Sequence, residues 1–233
     1  MQFDIPGLNI QIKVRRKLHA SSQIEKRDYN KVFVIGFNKT GTTSLKKVLE
    51  IFGFKVGNQA VAEILSEDWA IGKIDRIVRY CHTADAFQDT PFSKPGLFKE
   101  LDKAFPGSKF ILTVRDNSEQ WFKSMVRFHS KKFSSQEGLP PTEADLTNAT
   151  YRYKGFMLES FKNYWNFPNV PLYHERIYKE VYEKHIEDVK NYFKERSNDL
   201  IIVNVAQPED FKRLCQFLNV STNLQDFPWE NKT

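Results

Sequence analysis

The sequence has few cysteines. Only Cys81 and Cys215 occur among 233 residues, far apart and without a CxxC motif or a neighbouring pair of histidines. This scarcity argues against a disulfide framework and against a zinc site. We expect two free thiols in a reducing compartment.

Long apolar runs are also missing. No segment approaches the roughly 20 apolar residues that a membrane-spanning helix needs. The N-terminal stretch "MQFDIPGLNIQIKVRRKLHA" lacks the basic-then-apolar order of a signal peptide. We therefore expect a cytoplasmic protein with no integral membrane segment.

Positive charge is in modest excess, with a formal net charge of +6. This excess suits an anionic ligand, but it also suits weak contact with nucleic acid or membranes. A basic cluster at residues 15–17 lies in a polar N-terminal arm, residues 1–30, and nothing else there resembles a nucleic-acid module. We expect no nucleic-acid partner.

From Lys31 onwards, short apolar strands alternate with helical stretches. "VFVIGF", "AFQDTP", "KFILTVR" and "DLIIVNV" are predicted strands, and each is followed by a helix. This order predicts an α/β fold with a central parallel sheet flanked by helices, in one domain over residues 31–233. Ligands are expected at the carboxyl ends of the strands. Residues 131–150 are polar and contain prolines, which predicts a mobile loop.

The segment "VFVIGFNKTGTTSL" joins the first of these strands to a helix. Gly36 and Gly41 have the spacing of the ATP-type loop GxxxxGK[ST], whose lysine follows the second glycine. Here Thr42 occupies that lysine position and Thr43 the hydroxyl position, whereas the lysine, Lys39, is at the crown of the loop. We expect an anion at the start of the helix. A crown lysine can reach the bridging oxygen of a phosphate that carries a transferable group, without a metal.

The run Lys39-Thr40-Gly41-Thr42-Thr43 resembles the 5′-phosphosulfate loop of the P-loop sulfotransferases, in particular their short, bacterial-type branch. The resemblance implies the P-loop-type three-layer fold and the donor 3′-phosphoadenosine 5′-phosphosulfate (PAPS). It also implies that the donor is bound by the loop and the first helical residues, Lys39, Thr40, Gly41, Thr42, Thr43 and Ser44. Many cytosolic members carry a tryptophan where this chain has Ser44.

The resemblance extends to the family's 3′-phosphate site, which pairs an arginine closing a later strand with a serine eight residues on. Arg115 closes "KFILTVR", and Ser124 follows nine residues later, with Lys123 in the eighth place. The resemblance implies that Arg115 and Ser124 hold the 3′-phosphate. Lys123 or Ser118 are alternatives to Ser124, and a strand-end ion pair is the alternative role of Arg115.

Asp89-Thr90-Pro91 occupies the place of a His-x-Pro motif whose histidine is the general base in cytosolic sulfotransferases. Some carbohydrate-acting members use glutamate there. The resemblance therefore implies that Asp89 takes a proton from the acceptor. Alternatively, Asp89 orders the loop through an Asx turn. His129 is the reserve candidate for the base.

These motifs predict a PAPS-dependent sulfotransferase acting on a hydroxyl or amine of a small-molecule or carbohydrate acceptor, with no metal required. Two alternatives stay open: a P-loop kinase or NTPase, which would need a lysine at position 42, and an inactive nucleotide-binding scaffold. Residues 129–170 are expected to wall the acceptor site, and Asn231 or Lys232 to close over the nucleotide. The acceptor's identity and the oligomeric state do not follow from the sequence.

Overall fold

The computed structural model describes residues 22–24 and 27–228, and its centre is a parallel sheet of four strands. The strand order is β3-β2-β4-β5, and helices cover both faces, which confirms the predicted fold class. The sheet strands are β2 Val32–Val34, β3 Ala86–Phe87, β4 Lys109–Thr113 and β5 Leu200–Val203. A separate antiparallel pair joins β1 Ser22–Ile24 to β6 Val220–Thr222.

Ten helices occur in the described part of the chain. They are α1 Thr42–Ile51, α2 Gln59–Ile64, α3 Ser66–Ala70, α4 Ile74–Cys81, α5 Leu97–Ala104, α6 Ser118–Phe133, α7 Glu143–Asn148, α8 Phe156–Trp165, α9 Glu175–Tyr192 and α10 Pro208–Phe217. None of these helices is long and apolar enough to cross a membrane.

The strands of the sheet are apolar on both faces because each face packs on a different layer of helices. Phe33 belongs to one buried cluster, together with residues of α4, α5 and α9. Its neighbours Val32 and Val34 belong to another, together with residues of α1 and α10. Side chains alternate between the two faces of a strand, so one short strand serves both layers.

A third apolar cluster lies beyond the carboxyl ends of the strands. It joins Phe37, which follows β2, to residues of α6, α8 and α9. Within it, the rings of Trp121 and Tyr182 stack with centroids 4.5 Å apart, and those of Trp165 and Tyr178 at 3.7 Å. The carboxyl edge of the sheet, where a ligand is expected, is thus covered by an aromatic layer.

The structure corrects several predicted boundaries. The sequence pattern predicts one helical stretch over roughly residues 60–80, whereas the structure has three helices there, α2 to α4. The predicted loop 131–150 is partly helical, since it contains the end of α6 and all of α7. Whether it moves stays a prediction. Asn117 followed three residues later by Gln120 predicts a capping box at the start of α6. Asn117 does cap the helix, but Gln120 accepts from the amide of Asp116, so the box is incomplete. The alternating residues of "LNIQIKV" predict a short strand, which lies outside the described residues.

Candidate active site

The loop between β2 and α1 lies directly on the neighbouring strands. A Cβ atom on Gly36 would lie 2.1 Å from Oγ1 and 2.3 Å from the carbonyl oxygen of Thr113, at the end of β4. Gly41 has a φ of 99°, and a Cβ there would lie 2.3 Å from Val205, just beyond β5. Both positions therefore require glycine. At Gly36 a side chain has no space, and at Gly41 both the lack of space and the left-handed backbone exclude one.

Thr40 anchors the loop instead of facing a ligand. Its side chain is buried, its hydroxyl donates to the Phe37 carbonyl at 2.5 Å, and it lies 2.6 Å from the Thr113 hydroxyl. Its amide also donates to Phe37, at 3.3 Å. Both donors of Thr40 are used within the protein, so this arrangement gives no support to its predicted contact with the cofactor.

Lys39 occupies the crown of the loop in a left-handed conformation, with a φ of 68°. Its Nζ lies 3.9 Å from the centroid of the Phe128 ring. Burial, followed by the nearby Arg115 charge, lowers the pKa of Lys39 to about 8, against the attraction of Asp89. The side chain is therefore mostly charged at pH 7, and it lies at the border between the loop and the aromatic cluster.

The beginning of α1 offers an anion-binding group of amides. Leu45 makes the first intrahelical hydrogen bond, donating to Gly41 at 3.0 Å. The amides of Thr42 and Thr43 precede it, in the first turn, where a helix offers no backbone acceptor. Together with the positive end of the helix dipole, such amides favour an anion, and that an anion binds here stays a prediction. The side chains of Thr42 and Thr43 line the adjoining cavity.

Asp89 follows β3 and is hydrogen-bonded to the loop. Its Oδ2 accepts from the hydroxyl of Thr42 at 3.1 Å and from Gln59 Nε2 at 3.4 Å. Its Oδ1 accepts from the amide of Thr90 at 2.8 Å. An Asx turn would need an amide hydrogen two residues after Asp89, where Pro91 has none. The predicted Asx turn is therefore wrong, although Asp89 does order the loop through Thr90.

A cavity of about 330 Å³ lies between the loop and helices α6 and α8. One part of its lining, here called the loop wall, is Lys39, Gly41, Thr42 and Thr43. A second part, the aromatic wall, consists of Phe128, Phe133, Tyr151, Phe156, Phe161, Tyr164 and Trp165. Most of the aromatic wall falls within residues 129–170, the segment expected to wall the acceptor site.

Glu63 is a cavity residue that sequence reasoning missed. It is 5% exposed and forms an ion pair with Arg152, and its Oε1 accepts from Gln59 at 2.8 Å. Burial raises the pKa of Glu63, although the hydrogen bond from Arg152 opposes the shift. Gln59 donates to both Glu63 and Asp89, so one amide group connects the two carboxylates. No motif marks Glu63, since it is an isolated acid within a short helix.

His129, the reserve base, also lines the cavity. Its Nδ1 lies 3.1 Å from the hydroxyl of Tyr173, and burial lowers the pKa of His129 to about 3. The ring is therefore neutral at physiological pH and has very weak affinity for a proton. As a general base it is poorly matched to neutral pH.

Arg115 lies beside the loop, and its role in phosphate binding stays a prediction. Its Nε donates to the carbonyl of Lys39 at 2.7 Å, and its backbone amide donates to Tyr182 at 3.0 Å. Burial lowers the pKa of Arg115. The guanidinium lines the cavity, and one of its nitrogens positions the crown of the loop. The alternative role, a strand-end ion pair, has no counterpart among the ion pairs of the described residues.

Ser124 does not line the cavity. It lies on α6, is 8% exposed, and its hydroxyl has no hydrogen-bond partner among the described residues. The two alternatives are engaged elsewhere, since Ser118 donates to Glu183 and Lys123 lies 2.8 Å from Glu119. Of the three, Ser124 is the one whose side chain has no partner among the described residues. Its predicted role stays a prediction.

The remaining predictions about the site concern the C-terminal residues, Ser44 and a metal. Asn231 and Lys232 lie outside the described residues. Ser44 is buried at the start of α1. Within residues 22–24 and 27–228, no group of three or more His, Cys, Asp or Glu side chains is arranged to hold a metal ion.

Comparison with known proteins adds one finding. A family model described as "Sulfotransferase domain" matches residues 31–233, which is most of the chain and contains every residue of the cavity. No curated protein matches the sequence.

Proposed function

The chain belongs to the sulfotransferase domain family, and from that premise we propose that it transfers a sulfuryl group from PAPS to a hydroxyl or amine of a small-molecule or carbohydrate acceptor. One observation carries the proposal. The carboxylate of Asp89 accepts a hydrogen bond from Thr42 of the phosphate loop while both residues line the same cavity. A group that can take a proton is thus held beside the group that binds the donor.

The 5′-phosphosulfate would lie at the start of α1, with its phosphate on the amides of Thr42 and Thr43. Lys39 would face the oxygen that bridges phosphorus and sulfur. When the bond between sulfur and this oxygen breaks, the oxygen keeps the electron pair, and negative charge develops there. A lysine fixed at that point stabilises the developing charge more than the ground state, which is what accelerates the step.

The acceptor oxygen forms the new bond to sulfur, and its proton passes to Asp89. Several observations support Asp89 over the other candidates. It lines the cavity, and its Oδ1 has a single protein partner, the amide of Thr90, so it can accept another hydrogen. Glu63 is already held in an ion pair with Arg152. His129 has too low a pKa to accept a proton at neutral pH.

The 3′-phosphate would be held by Arg115, whose terminal nitrogens suit bidentate contact with phosphate oxygens. The Nε atom is engaged by Lys39, so the guanidinium is held in place before the donor binds. Ser124 on the neighbouring helix is the proposed second contact, through its spare hydroxyl.

The kinase alternative is less well supported by the same geometry. A lysine at position 42 would fall where the Thr42 hydroxyl meets Asp89, and it would pair with that carboxylate. The scaffold alternative leaves unexplained why a carboxylate, a lysine and a deep cavity converge beside the loop.

Titration with nucleotides tests the proposal directly. We expect adenosine 3′,5′-bisphosphate to raise the melting temperature without magnesium, and ATP with magnesium to raise it far less. At 100 times the dissociation constant, a ligand adds about 2.7 kcal/mol to the free energy of unfolding, which is easily measured. Equal or greater stabilisation by ATP with magnesium would favour the kinase alternative. No response to either nucleotide would contradict both the sulfotransferase and the kinase assignment.

A further inference from the structure

Lys94 is a buried lysine for which the proposed reaction has no use. It is 7% exposed and lines the cavity close to Asp89, in the turn that follows β3. Its Nζ lies 3.7 Å from the centroid of the Tyr164 ring and 5.5 Å from that of Trp69. Aromatic faces partly compensate a desolvated ammonium, but they do not neutralise it.

The carboxylates around Lys94 are engaged with other groups. In the cavity, Glu63 pairs with Arg152, and Asp89 accepts from Thr42 and Thr90. Beside the cavity is a second pocket of about 10 Å³, and the Glu67 and Glu159 that line it both accept from Tyr153.

Lys94 forms no ion pair with any of them, or with any other described residue, within 4.0 Å. A cation buried without a counter-ion is costly. Burial lowers the pKa of Lys94 to about 7, against the attraction of the nearby Asp89 carboxylate.

The position of Lys94 within the cavity separates it from the phosphate loop. Lys94, Phe156 and Ser160 line both the main cavity and the small pocket beside it, whereas the loop wall borders the main cavity alone. A molecule that occupies the main cavity can therefore meet Asp89 near the loop and Lys94 where the two cavities adjoin. The aromatic wall of the same cavity suits a flat apolar body, since aromatic rings pack well on one another.

We propose that Lys94 is a specificity residue that binds an anionic group of the acceptor, and that the acceptor is a small hydroxy acid with a flat, apolar body. This inference rests on the proposed function, because it assigns the acceptor of that reaction. The acceptor's hydroxyl lies at Asp89 and its carboxylate at Lys94. The acceptor's carboxylate supplies the direct ion pair that Lys94 lacks among the described residues.

The test uses two matched phenols, 4-hydroxyphenylacetate and its neutral amide, 4-hydroxyphenylacetamide. Their binding to the protein saturated with adenosine 3′,5′-bisphosphate is measured by calorimetry, and their sulfation is measured with PAPS. Wild-type protein should favour the carboxylate about 10- to 100-fold in affinity and in kcat/KM, as expected of a charge-assisted contact. The affinity for the carboxylate should fall as pH rises above 7, while that for the amide should not.

Lys94→Met should abolish this preference, and Lys94→Gln serves as a second variant in case the first does not fold. The matched control is Lys132→Met, because Lys132 also lies over a tyrosine ring, 4.0 Å from the centroid of Tyr151, but is exposed and does not line the cavity. The control should keep the wild-type preference.

Three results would overturn the inference. They are equal affinity of wild type for the two phenols, an equal loss for both phenols in Lys94→Met, and failure of both phenols to bind while the nucleotide still binds. The last result leaves the proposed function intact, since that function depends on nucleotide binding. Absence of nucleotide binding, in contrast, would contradict the proposed function itself.

Discussion

The loop wall and the aromatic wall of the cavity are built in different ways. The loop wall comes from one short segment and combines backbone amides with lysine and threonine side chains. Close glycine contacts fix the segment to the end of β4 and to Val205, just beyond β5. The aromatic wall is assembled from side chains of α6, α8 and the segment between them, packed ring on ring. A site made largely of backbone favours one kind of ligand, for which we propose phosphate, whereas a site made of side chains can change its ligand by substitution. We therefore expect changes at the two walls to affect different substrates.

The largest effect is expected at Asp89, where the two walls meet. Asp89→Asn keeps one acceptor oxygen for the amide of Thr90, places an NH2 group where Oδ2 now accepts from Thr42, and cannot take a proton at neutral pH. Sulfuryl transfer should fall about 10²- to 10⁴-fold, the usual contribution of a general base. Steady-state assays with any acceptor that is turned over would measure the loss.

Nucleotide affinity is the control for this variant and should stay close to that of wild type. Full activity in Asp89→Asn would show that the side chain only orders the loop, and Glu63 would become the next candidate for the base.

Arg115→Ala should weaken adenosine 3′,5′-bisphosphate about 10- to 100-fold, since a hydrogen bond to a charged group contributes about 1.5–3 kcal/mol. Adenosine 5′-phosphate should be affected much less. Because Arg115 also holds the carbonyl of Lys39, Arg115→Lys is informative as a companion, since it keeps the charge but loses the fork geometry. Calorimetry with both nucleotides separates the two contributions. An equal loss for both nucleotides would assign Arg115 to the structure of the loop.

The pH dependence should report Lys39. Its folded-state pKa is lowered from 10.5 to about 8, so its charge is present below pH 8 and is lost as pH rises through that value. We therefore expect kcat/KM to fall at alkaline pH with an apparent pKa near 8. Above that value, kcat/KM should decrease about tenfold per pH unit.

A neutral acceptor should be used for this pH profile, because Lys94 also titrates near pH 7. Lys39→Arg keeps its charge at all accessible pH values, so the alkaline decrease in kcat/KM should disappear in this variant. A decrease that persists in Lys39→Arg must come from the titration of another group.

The smallest effect is expected at Ser124. Ser124→Ala removes a buried hydroxyl without a partner, so the melting temperature of the free protein should be unchanged or slightly higher. If the hydroxyl binds the 3′-phosphate, bisphosphate affinity should fall about 2- to 10-fold, as for an ordinary hydrogen bond. Thermal melts with and without bisphosphate measure both quantities. Unchanged affinity would remove Ser124 from the site.

The contrast between the walls also explains which parts were predictable from the sequence. Lys39 and Asp89 are marked by local patterns, because a phosphate loop and a strand end are each formed by a few consecutive residues. The structure brings both to one cavity. Glu63, Lys94 and Arg152 carry no such pattern, since they meet only when α2, the turn after β3 and the segment before α8 are packed together.

The fold shows the same division between local and distant determinants. The parallel sheet is predictable because buried strands are continuous apolar runs. The break between α2 and α3 is not, because it falls at Leu65, a good helix former, and not at a glycine or proline. The pairing of β1 with β6 joins segments 200 residues apart, as in the contact from Ser22 to Thr222, and the sequence has no local signal for it.

The contact between Arg115 and the crown of the loop has a consequence for how the donor's binding energy is used. Arg115 Nε donates to the carbonyl of Lys39, so the group proposed for the 3′-phosphate also holds the residue proposed for the reacting bond. Binding of the 3′-phosphate, which does not react, can thus help to orient Lys39 towards the phosphosulfate, which does react. A donor without its 3′-phosphate should then lose turnover at saturation as well as affinity.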